Sequence, residues 1–144
     1  MKAKFLLFSF LLVTALAFAQ SSAQIPADVK STFDRFYPNA QNVNWQQEQS
    51  YFIPVFTDGN VRTKLLIDLK GALIHTSVHI SDANLPATAT AYITATYPGQ
   101  VVSDAEKLTM FNHSNRYEAI VAGKDLIFDS NGTFIREASG PLKQ

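Results

Sequence analysis

Two histidines four positions apart, His75 and His79, are the residues best suited to chemistry. On a helix this spacing would place both rings on one face, within reach of a single metal ion. The residues around them are rich in β-branched types and predict a strand instead. On a strand the two rings lie about 13 Å apart, at roughly 3.3 Å per residue. One ion cannot bind both rings, so no metal site is predicted here.

The neighbouring residues His75, Ser77 and Asp68 supply the only nearby serine–histidine–acid set. This set lacks the glycine pattern of a nucleophile elbow, so we interpret its members as structural or solvent-facing. Hydrolysis of the glycosidase type needs two carboxylates several ångströms apart, and the 12 acidic residues show no such pair on a helix. Acids converging from separate strands stay a weaker, enzymatic alternative.

The run from Asp129 to Gly132 begins like a calcium-binding loop. A true calcium loop of this kind spans 12 residues and ends in a chelating glutamate, whereas here the glycine comes too early. A hairpin turn in which Asn131 or Gly132 takes a positive φ explains the run, and the matching run from Asp68 to Gly71 supports this interpretation. The sequence therefore predicts no metal, no cofactor and no enzymatic activity.

The charge balance excludes two classes of partner. Without Lys2 and Lys4, 10 basic residues remain against 12 acidic ones, a net charge of −2. Such a weak and mixed charge provides no footprint for nucleic acid or for an anionic membrane surface.

The first residues predict a secretory signal peptide over residues 1–19. Lysines precede an apolar run from Phe5 to Phe18, and Ala17-Phe18-Ala19 forms a small-residue exit. A second exit leaves cleavage at residue 23 as an alternative. The apolar run is shorter than the roughly 20 residues of a membrane span, and no cysteine is present to carry a lipid. We expect a periplasmic or secreted protein with no membrane span in the mature chain.

The mature chain repeats its own pattern. The run from Ile25 to Asn39 begins with an apolar residue, proline and alanine and ends at Tyr-Pro, and the run from Leu85 to Gly99 does the same. Farther on, Leu65-Leu66-Ile67-Asp68 returns as Leu126-Ile127-Phe128-Asp129. We predict two units of one compact domain, residues 24–82 and 83–144.

Each unit should contain one short helix and four antiparallel strands. Proline is tolerated at the start of a helix, and Tyr-Pro ends it. Val29, Phe33 and Phe36 form an apolar stripe on the first helix. The predicted strands are 42–47, 51–56, 61–69, 72–80, 101–111, 116–122, 124–128 and 133–137. The fold class is α+β, a tandem αββββ repeat that forms a curved sheet of about eight strands with two helices on one face.

Alternation along the strands assigns each side chain to a face. Leu65, Ile67, Tyr117, Ala119 and Val121 should lie under the helices. The opposite, open face should carry apolar residues among charges, which marks a docking site or a surface that curls upon itself or dimerises. The partner-binding candidates are Phe52, Phe56, Leu66, Leu73, His75, Ile120, Ile127 and Phe134. Trp45 is a further candidate anchor, with packing against the end of a helix as the favoured alternative. Pro54 indicates a break in strand pairing.

The succession of these motifs resembles a known family. A leader, an apolar-Pro-Ala start, Tyr37-Pro38-Asn39-Ala40, Val43-x-Trp45 and hairpins closing on Asp-x-x-Gly are similar to the PepSY-like (β-lactamase-inhibitor-like, BLIP-like) exported bacterial proteins. The resemblance covers essentially the whole mature chain, although Ala105 stands where Trp45 would recur. It implies a curved eight-stranded sheet whose concave face grips a protein, and no activity is established for most members.

Two functions compete at this stage. The favoured hypothesis is a non-enzymatic envelope module that binds a protein or peptide, including a hydrolase that it restrains, through the open face. The alternative is an envelope protein that binds a small molecule or a polymer in a pocket between the sheet and the helices.

Overall fold

The computed structural model describes residues 24–138 of the chain. The predicted leader, residues 1–19, and both predicted cleavage points lie outside the described residues. From residue 24 to residue 138, no helix is both long and apolar enough to cross a membrane.

One helix and four strands follow each other twice. The helices are α1 (Ala27–Phe36) and α2 (Ala87–Thr96), with a short 3₁₀ turn at Asp82–Asn84 before α2. The strands are β1 (Asn44–Glu48), β2 (Tyr51–Asp58), β3 (Val61–Asp68), β4 (Leu73–His79), β5 (Val102–Met110), β6 (Asn115–Val121), β7 (Lys124–Phe128) and β8 (Phe134–Ala138). The predicted strand ends agree with these bounds to within two residues.

Helix α1 begins and ends at prolines, for different reasons. The carbonyl oxygen of Pro26 accepts the N–H of Lys30 at 3.0 Å, and the proline ring already holds φ near its helical value. At the other end, Tyr37 donates its N–H to the Phe33 oxygen at 2.9 Å. Pro38 then disfavours helical geometry at the preceding residue. Helix α2 shows the same two hydrogen bonds at its own ends.

The eight strands form a single antiparallel sheet in the order β1-β2-β3-β4-β5-β6-β7-β8. Each strand therefore pairs with its neighbours in the sequence. Short turns join the strands within each half, whereas α2 lies in the connection from β4 to β5. The pairing of β4 with β5 joins the two halves of the chain. The predicted α+β fold class, with eight strands and two helices, is confirmed. That the two halves are copies of one unit stays a prediction.

Two β-bulges lie at corresponding places in the two halves. Between β3 and β4, Leu66 pairs with His75 while Ile67 pairs with Leu73, so Ile74 is the extra residue. Between β7 and β8 the same shift follows Ile127. An extra residue in one strand exchanges the two faces for every side chain beyond it.

The hydrophobic core lies between the helices and the sheet. Under α1, Val29 and Phe33 pack on Phe52, Phe56, Leu65 and Ile67, and under α2 a second cluster includes Ala89, Ile93, Ala119, Val121, Leu126 and Phe128. These clusters include Leu65, Ile67, Ala119 and Val121, which alternation predicts to be core residues. Tyr117 packs against the second cluster while half-buried.

Aromatic rings join α1 to the first two strands. Phe33 lies 5.1 Å from Trp45 and 5.3 Å from Phe56 between ring centroids, both in edge-on contacts. Trp45 therefore packs against the helix, which is the favoured prediction for this residue over a role as a binding anchor. The predicted stripe on α1 is wrong at its last member, because Phe36 is exposed and stacks on the guanidinium of Arg35 at 5.0 Å.

The predicted open-face positions of Phe52 and Phe56 are wrong. Both side chains lie under α1, which leaves Ile53 and Val55 on the other face. Alternation cannot choose between these two sets because both are apolar, and packing of the larger rings against Phe33 decides it. At Pro54 the pairing of β2 with β3 is interrupted, as predicted, because neither Ile53 nor Pro54 has a partner on β3. The register is nevertheless the same on both sides of the interruption.

The predicted positions of Leu73 and Phe134 are wrong for a shared reason. Leu73 packs against the cluster under α1, and Phe134 stacks on Tyr92 of α2 at 4.5 Å. Each precedes a bulge residue, Ile74 or Ile135, that reverses the alternation along its strand. Strict alternation along β4 and β8 ignores the extra residue and therefore assigns both side chains to the wrong face.

The sheet is strongly curved, with the open face on the inside. Gln46 on β1 and Asp125 on β7 line one cavity on that face. In a flat sheet the six strand spacings between them would amount to about 29 Å. Only a sheet that curls toward its open face brings these two strands to a common cavity.

Candidate functional site

A cavity of about 230 Å³ occupies the open face, the side of the sheet that is turned away from the helices. We call it the open-face cavity. Its charged lining residues are Glu48, Lys64, Glu118 and Asp125, and its apolar lining residues include Ile53, Leu66 and Ile120. Its uncharged polar lining residues are Gln46, His75 and Ser77.

Strand register explains why these side chains meet. Lys64 pairs with Ser77, and Leu66 with His75, across β3 and β4. Farther along the same face, Glu106 of β5 pairs directly with Glu118 of β6. Directly opposed residues of antiparallel strands point to the same face, so the register places two glutamates side by side on the open face.

Glu106 is neutralised by two cations. One carboxylate oxygen lies 2.7 Å from Lys64 Nζ, and the other accepts a hydrogen bond from Arg62 Nη2 at 3.3 Å. Arg62 Nη2 also donates a hydrogen bond to Asp104 at 3.3 Å, and the other Asp104 oxygen lies 2.8 Å from His79 Nδ1. Glu106 is only 4 % exposed. A carboxylate held in this way balances local charge and is poorly placed to attack a substrate.

Glu118 has no such compensation. Burial, followed by the nearby charge of Glu106, raises the pKa of Glu118 from 4.5 to about 7. The ammonium of Lys64 opposes the rise, but its close contact is with Glu106. Glu118 therefore exchanges its proton near neutral pH.

Asp125 is the second uncompensated carboxylate. Burial raises the pKa of Asp125, the ammonium of Lys64 opposes the rise, and the charges of Glu106 and Glu137 add to it. Across residues 24–138, neither Glu118 nor Asp125 forms a hydrogen bond or an ion pair through its carboxylate. The two groups make the cavity a place where positive charge is favoured.

His75 and His79 share the open face, as predicted for a strand, yet they lie in different surroundings. His79 is exposed and contacts Asp104. His75 is only 7 % exposed, and its Nδ1 has no hydrogen-bond partner in the described part of the chain. Burial, and then the charges of Lys64 and Arg116, lower the pKa of His75 to about 4. His75 is thus a neutral ring at physiological pH.

Four of the predicted partner-binding candidates lie on the open face, namely Leu66, His75, Ile120 and Ile127. Leu66 is 2 % exposed and Ile127 is fully buried, in a cluster with Leu108, Met110 and Ala138. The curved sheet thus covers these two residues itself. Ile120 remains partly exposed in the cavity, and its role in binding stays a prediction.

Sequence reasoning missed the acidic residues of the site. Glu106, Glu118 and Asp125 lie on three successive strands, and no local motif connects them. The loop from Phe111 to Ser114 carried a usable signal, because a hairpin centred there pairs residue 106 with residue 118 to within one position. A slip of one residue would turn one of the glutamates to the other face, so the signal alone was insufficient.

The Asp-x-x-Gly runs are hairpin turns, as predicted. Asp129 Oδ1 accepts the backbone N–H groups of Asn131 and Thr133, both at 2.8 Å. These bonds lower the pKa of Asp129 and direct its carboxylate into the turn. Within residues 24–138, no three histidine or acidic residues are grouped so as to hold a metal ion.

A second groove lies at the end of α1. It has a volume of about 500 Å³ and is lined by residues 36–42 and 56–59. This volume is within the range of small-molecule sites, about 300–1,000 Å³. The open-face cavity is smaller than that range.

Solved structures share this fold. A DUF2874 family protein from Bacteroides uniformis superposes with a TM-score of 0.67 at 21 % identity, covering 78 % of this chain and 88 % of the other. A candidate periplasmic protein from Bacteroides eggerthii reaches 0.67 at 16 % identity over 78 % and 87 %. A BLIP-like protein from Bacteroides fragilis reaches 0.60 at 23 % identity over 83 % and 89 %.

The fold is BLIP-like. No protein-family model and no curated protein matches the sequence, so the likeness rests on structure, at identities too low to carry an activity. The predicted resemblance is thus confirmed at the level of the fold, while its PepSY-like part stays a prediction.

Proposed function

We propose that the chain is an exported, non-enzymatic binding module that engages a protein or peptide partner through its open face. The observation that carries this proposal is the open-face cavity, where two uncompensated carboxylates lie beside partly exposed isoleucines. Concave surfaces of mixed apolar and charged character are typical of interaction sites. Glu106 itself is held by Lys64 and Arg62 and is not free to act as an acid or a base.

Two further features of the proposal rest on likeness. The BLIP-like fold supports a partner that is a protein, and a hydrolase restrained by the module is the partner class implied by the family resemblance. The candidate periplasmic neighbour and the predicted leader together support a location in the periplasm or outside the cell.

A small-molecule or polymer ligand of the envelope is the second candidate function. The groove at the end of α1 favours it, because its volume of about 500 Å³ suits such a ligand. Thermal-shift screening of residues 24–144 against envelope metabolites and glycans tests it, since a ligand at 100 times its Kd stabilises by about 2.7 kcal/mol. A hit that Tyr37→Ala leaves unchanged would reject the groove as the site.

Site-directed photo-crosslinking in living cells tests the open face. A photoreactive residue at Ile53 or Ile120, which are partly exposed in the cavity, should give a discrete crosslinked band. The same residue at Thr94, exposed on α2, is the matched control on the helix side. We expect crosslinks at the two open-face positions alone. Equal crosslinking at Thr94 would reject the open face as the binding surface.

A further inference from the structure

We propose that the open-face cavity receives an arginine or lysine side chain of the partner, with the basic group between Glu118 and Asp125 and the methylene stem against Ile53, Leu66 and Ile120. This inference rests on the proposed function, and it names the chemistry of the partner that the open face selects.

The charge of the cavity is the first argument. Three carboxylates, those of Glu48, Glu118 and Asp125, line the cavity together with a single ammonium, that of Lys64. Lys64 is already bound to Glu106 at 2.7 Å. The lining is therefore left with an excess of negative charge, which a cation from another molecule would neutralise.

The apolar lining is the second argument. Arginine and lysine carry their charge at the end of a hydrocarbon stem, which packs on apolar surface while the charged group meets polar partners. Ile53 and Leu66 line the cavity from the first half of the sheet, on β2 and β3. Ile120 lines it from the second half, where it shares β6 with Glu118 and pairs with Asp125 of β7. An apolar wall next to a pair of carboxylates matches both ends of such a side chain.

The size of the cavity is the third argument. About 230 Å³ is the volume of roughly eight water molecules at about 30 Å³ each. This space suits one long side chain and is smaller than the site of a drug-sized molecule.

His75 supplies an independent sign that the cavity is built for a guest. Its ring lines the cavity and is more than nine-tenths buried, yet Nδ1 has no hydrogen-bond partner within residues 24–138. A polar atom that is buried without a partner destabilises the folded state. As a neutral ring, His75 does not repel a cation, and an unprotonated nitrogen can accept a hydrogen bond from a guanidinium or an ammonium.

Glu118 gives binding a pH dependence with a defined sign. It is surrounded by Glu106 and Asp104 from β5, Lys64 from β3 and Asp125 from β7, with His75 and Glu48 also lining the cavity. A pKa of about 7 means that Glu118 is mostly protonated at pH 6 and mostly ionised at pH 8. A cation prefers the ionised form, so its affinity should be roughly tenfold higher at pH 8 than at pH 6.

Titration with butylguanidinium, monitored by NMR on ¹⁵N-labelled protein of residues 24–144, tests the inference. Butylguanidinium copies the end of an arginine side chain, and butylurea is its neutral counterpart of the same shape. We expect butylguanidinium, and not butylurea, to shift the amides of Glu118, Ile120 and Asp125. Glu118→Gln should weaken binding at pH 8 at least fivefold and abolish the pH dependence, with Asp125→Asn as a second variant that also weakens binding.

Asp34→Asn is the matched control. It removes an exposed carboxylate of α1 that is paired with Lys30, on the helix side of the sheet, and should leave binding unchanged. Equal binding of butylurea, or unchanged binding in Glu118→Gln and Asp125→Asn, would overturn the inference. If either of these two results came together with open-face crosslinks in cells, the proposed function would stand. Only the inference that the partner inserts a basic side chain would then be rejected. Selective cation binding without open-face crosslinks would reject the proposed function instead.

Discussion

At the scale of single residues, the curved sheet buries two titratable groups with opposite consequences. Burial favours the neutral form of both Glu118 and His75, so it raises one pKa to about 7 and lowers the other to about 4. In the folded state Glu118 keeps its proton up to about pH 7, against about 4.5 in the unfolded chain. His75 instead loses its proton already above about pH 4 in the folded state, against about 6.5 in the unfolded chain. Between about pH 4.5 and 6.5 the two effects on stability oppose each other, so single substitutions are needed to separate them.

Glu118→Gln should stabilise the protein at pH 8 and change little at pH 5. The raised pKa of Glu118 contributes stability that is fully present below about pH 4.5 and is lost as the pH rises through about 7. The loss amounts to about 3 kcal/mol at most, and the neutral variant avoids it. Urea unfolding at both pH values measures the difference. Glu137→Gln should shift stability by less than about 0.5 kcal/mol at either pH, and an equal gain in Glu118→Gln at pH 5 and pH 8 would contradict the assignment.

His75→Gln should lose less stability on acidification than the parent protein. The folded pKa of about 4 lies below the ordinary 6.5, so the parent is progressively destabilised as pH falls from 6.5 toward 4. Going from pH 7 to pH 5, the variant should gain about 2 kcal/mol relative to the parent. His113→Gln, in an exposed loop, is the control. Parallel pH curves for His75→Gln and the parent would show that burial of this ring has no such effect.

At the scale of elements, each helix is seated on a hairpin turn of its own half. Gly71, with φ +80, lies so close to α1 that an added Cβ would be 2.7 Å from the Asp28 oxygen, and Gly132 meets α2 in the same way. Thr32 of α1 also donates a hydrogen bond to the Gly71 oxygen at 2.6 Å. The Asp-x-x-Gly turn therefore serves as both a hairpin and a seat for the helix.

Gly71→Ala should destabilise the protein much more than Gly59→Ala. Both residues have a positive φ, which costs alanine about 1 kcal/mol, but nothing lies within 4 Å of a Cβ at Gly59. The added clash with Asp28 should bring the loss at Gly71 to about 2–4 kcal/mol. Thermal unfolding of both variants measures the difference. Similar losses would mean that α1 moves away from the turn without cost.

At the scale of the whole molecule, curvature turns the open face into two different surfaces. Over β5, β7 and β8 the open face forms a further small core, made of Leu108, Met110, Ile127 and Ala138. Next to this core, the approach of β1 toward β7 leaves the open-face cavity. A single sheet face thus provides both stability and a candidate binding site.

Leu108→Ala should cost about 2–5 kcal/mol, the usual loss for a large buried aliphatic side chain. Leu108 is fully buried although it faces away from both helices. Ile135→Ala, at an exposed position of β8, should cost less than about 1 kcal/mol. Chemical denaturation measures both values, and a small loss at Leu108 would mean that the open face is flatter and wetter than described.

The sequence by itself determined the type, order and turns of the elements, because these depend on local periodicity and on residues such as Pro38 and Gly71. It also placed Leu66, His75, Ile120 and Ile127 on the open face, since regular alternation suffices where no bulge intervenes. Only the tertiary structure decided the faces of Phe52 and Phe56, where both alternating sets are apolar, and of Leu73 and Phe134, where a bulge reverses the count.

The site itself was beyond local sequence reasoning. Glu106, Glu118 and Asp125 share one face through the register of three strands, and the curvature of all eight strands sets which of them remain without a counterion. Register and curvature are sums over many weak contacts between distant residues. Short-range patterns therefore predicted the elements, whereas the charge of the cavity they enclose emerged only from their packing.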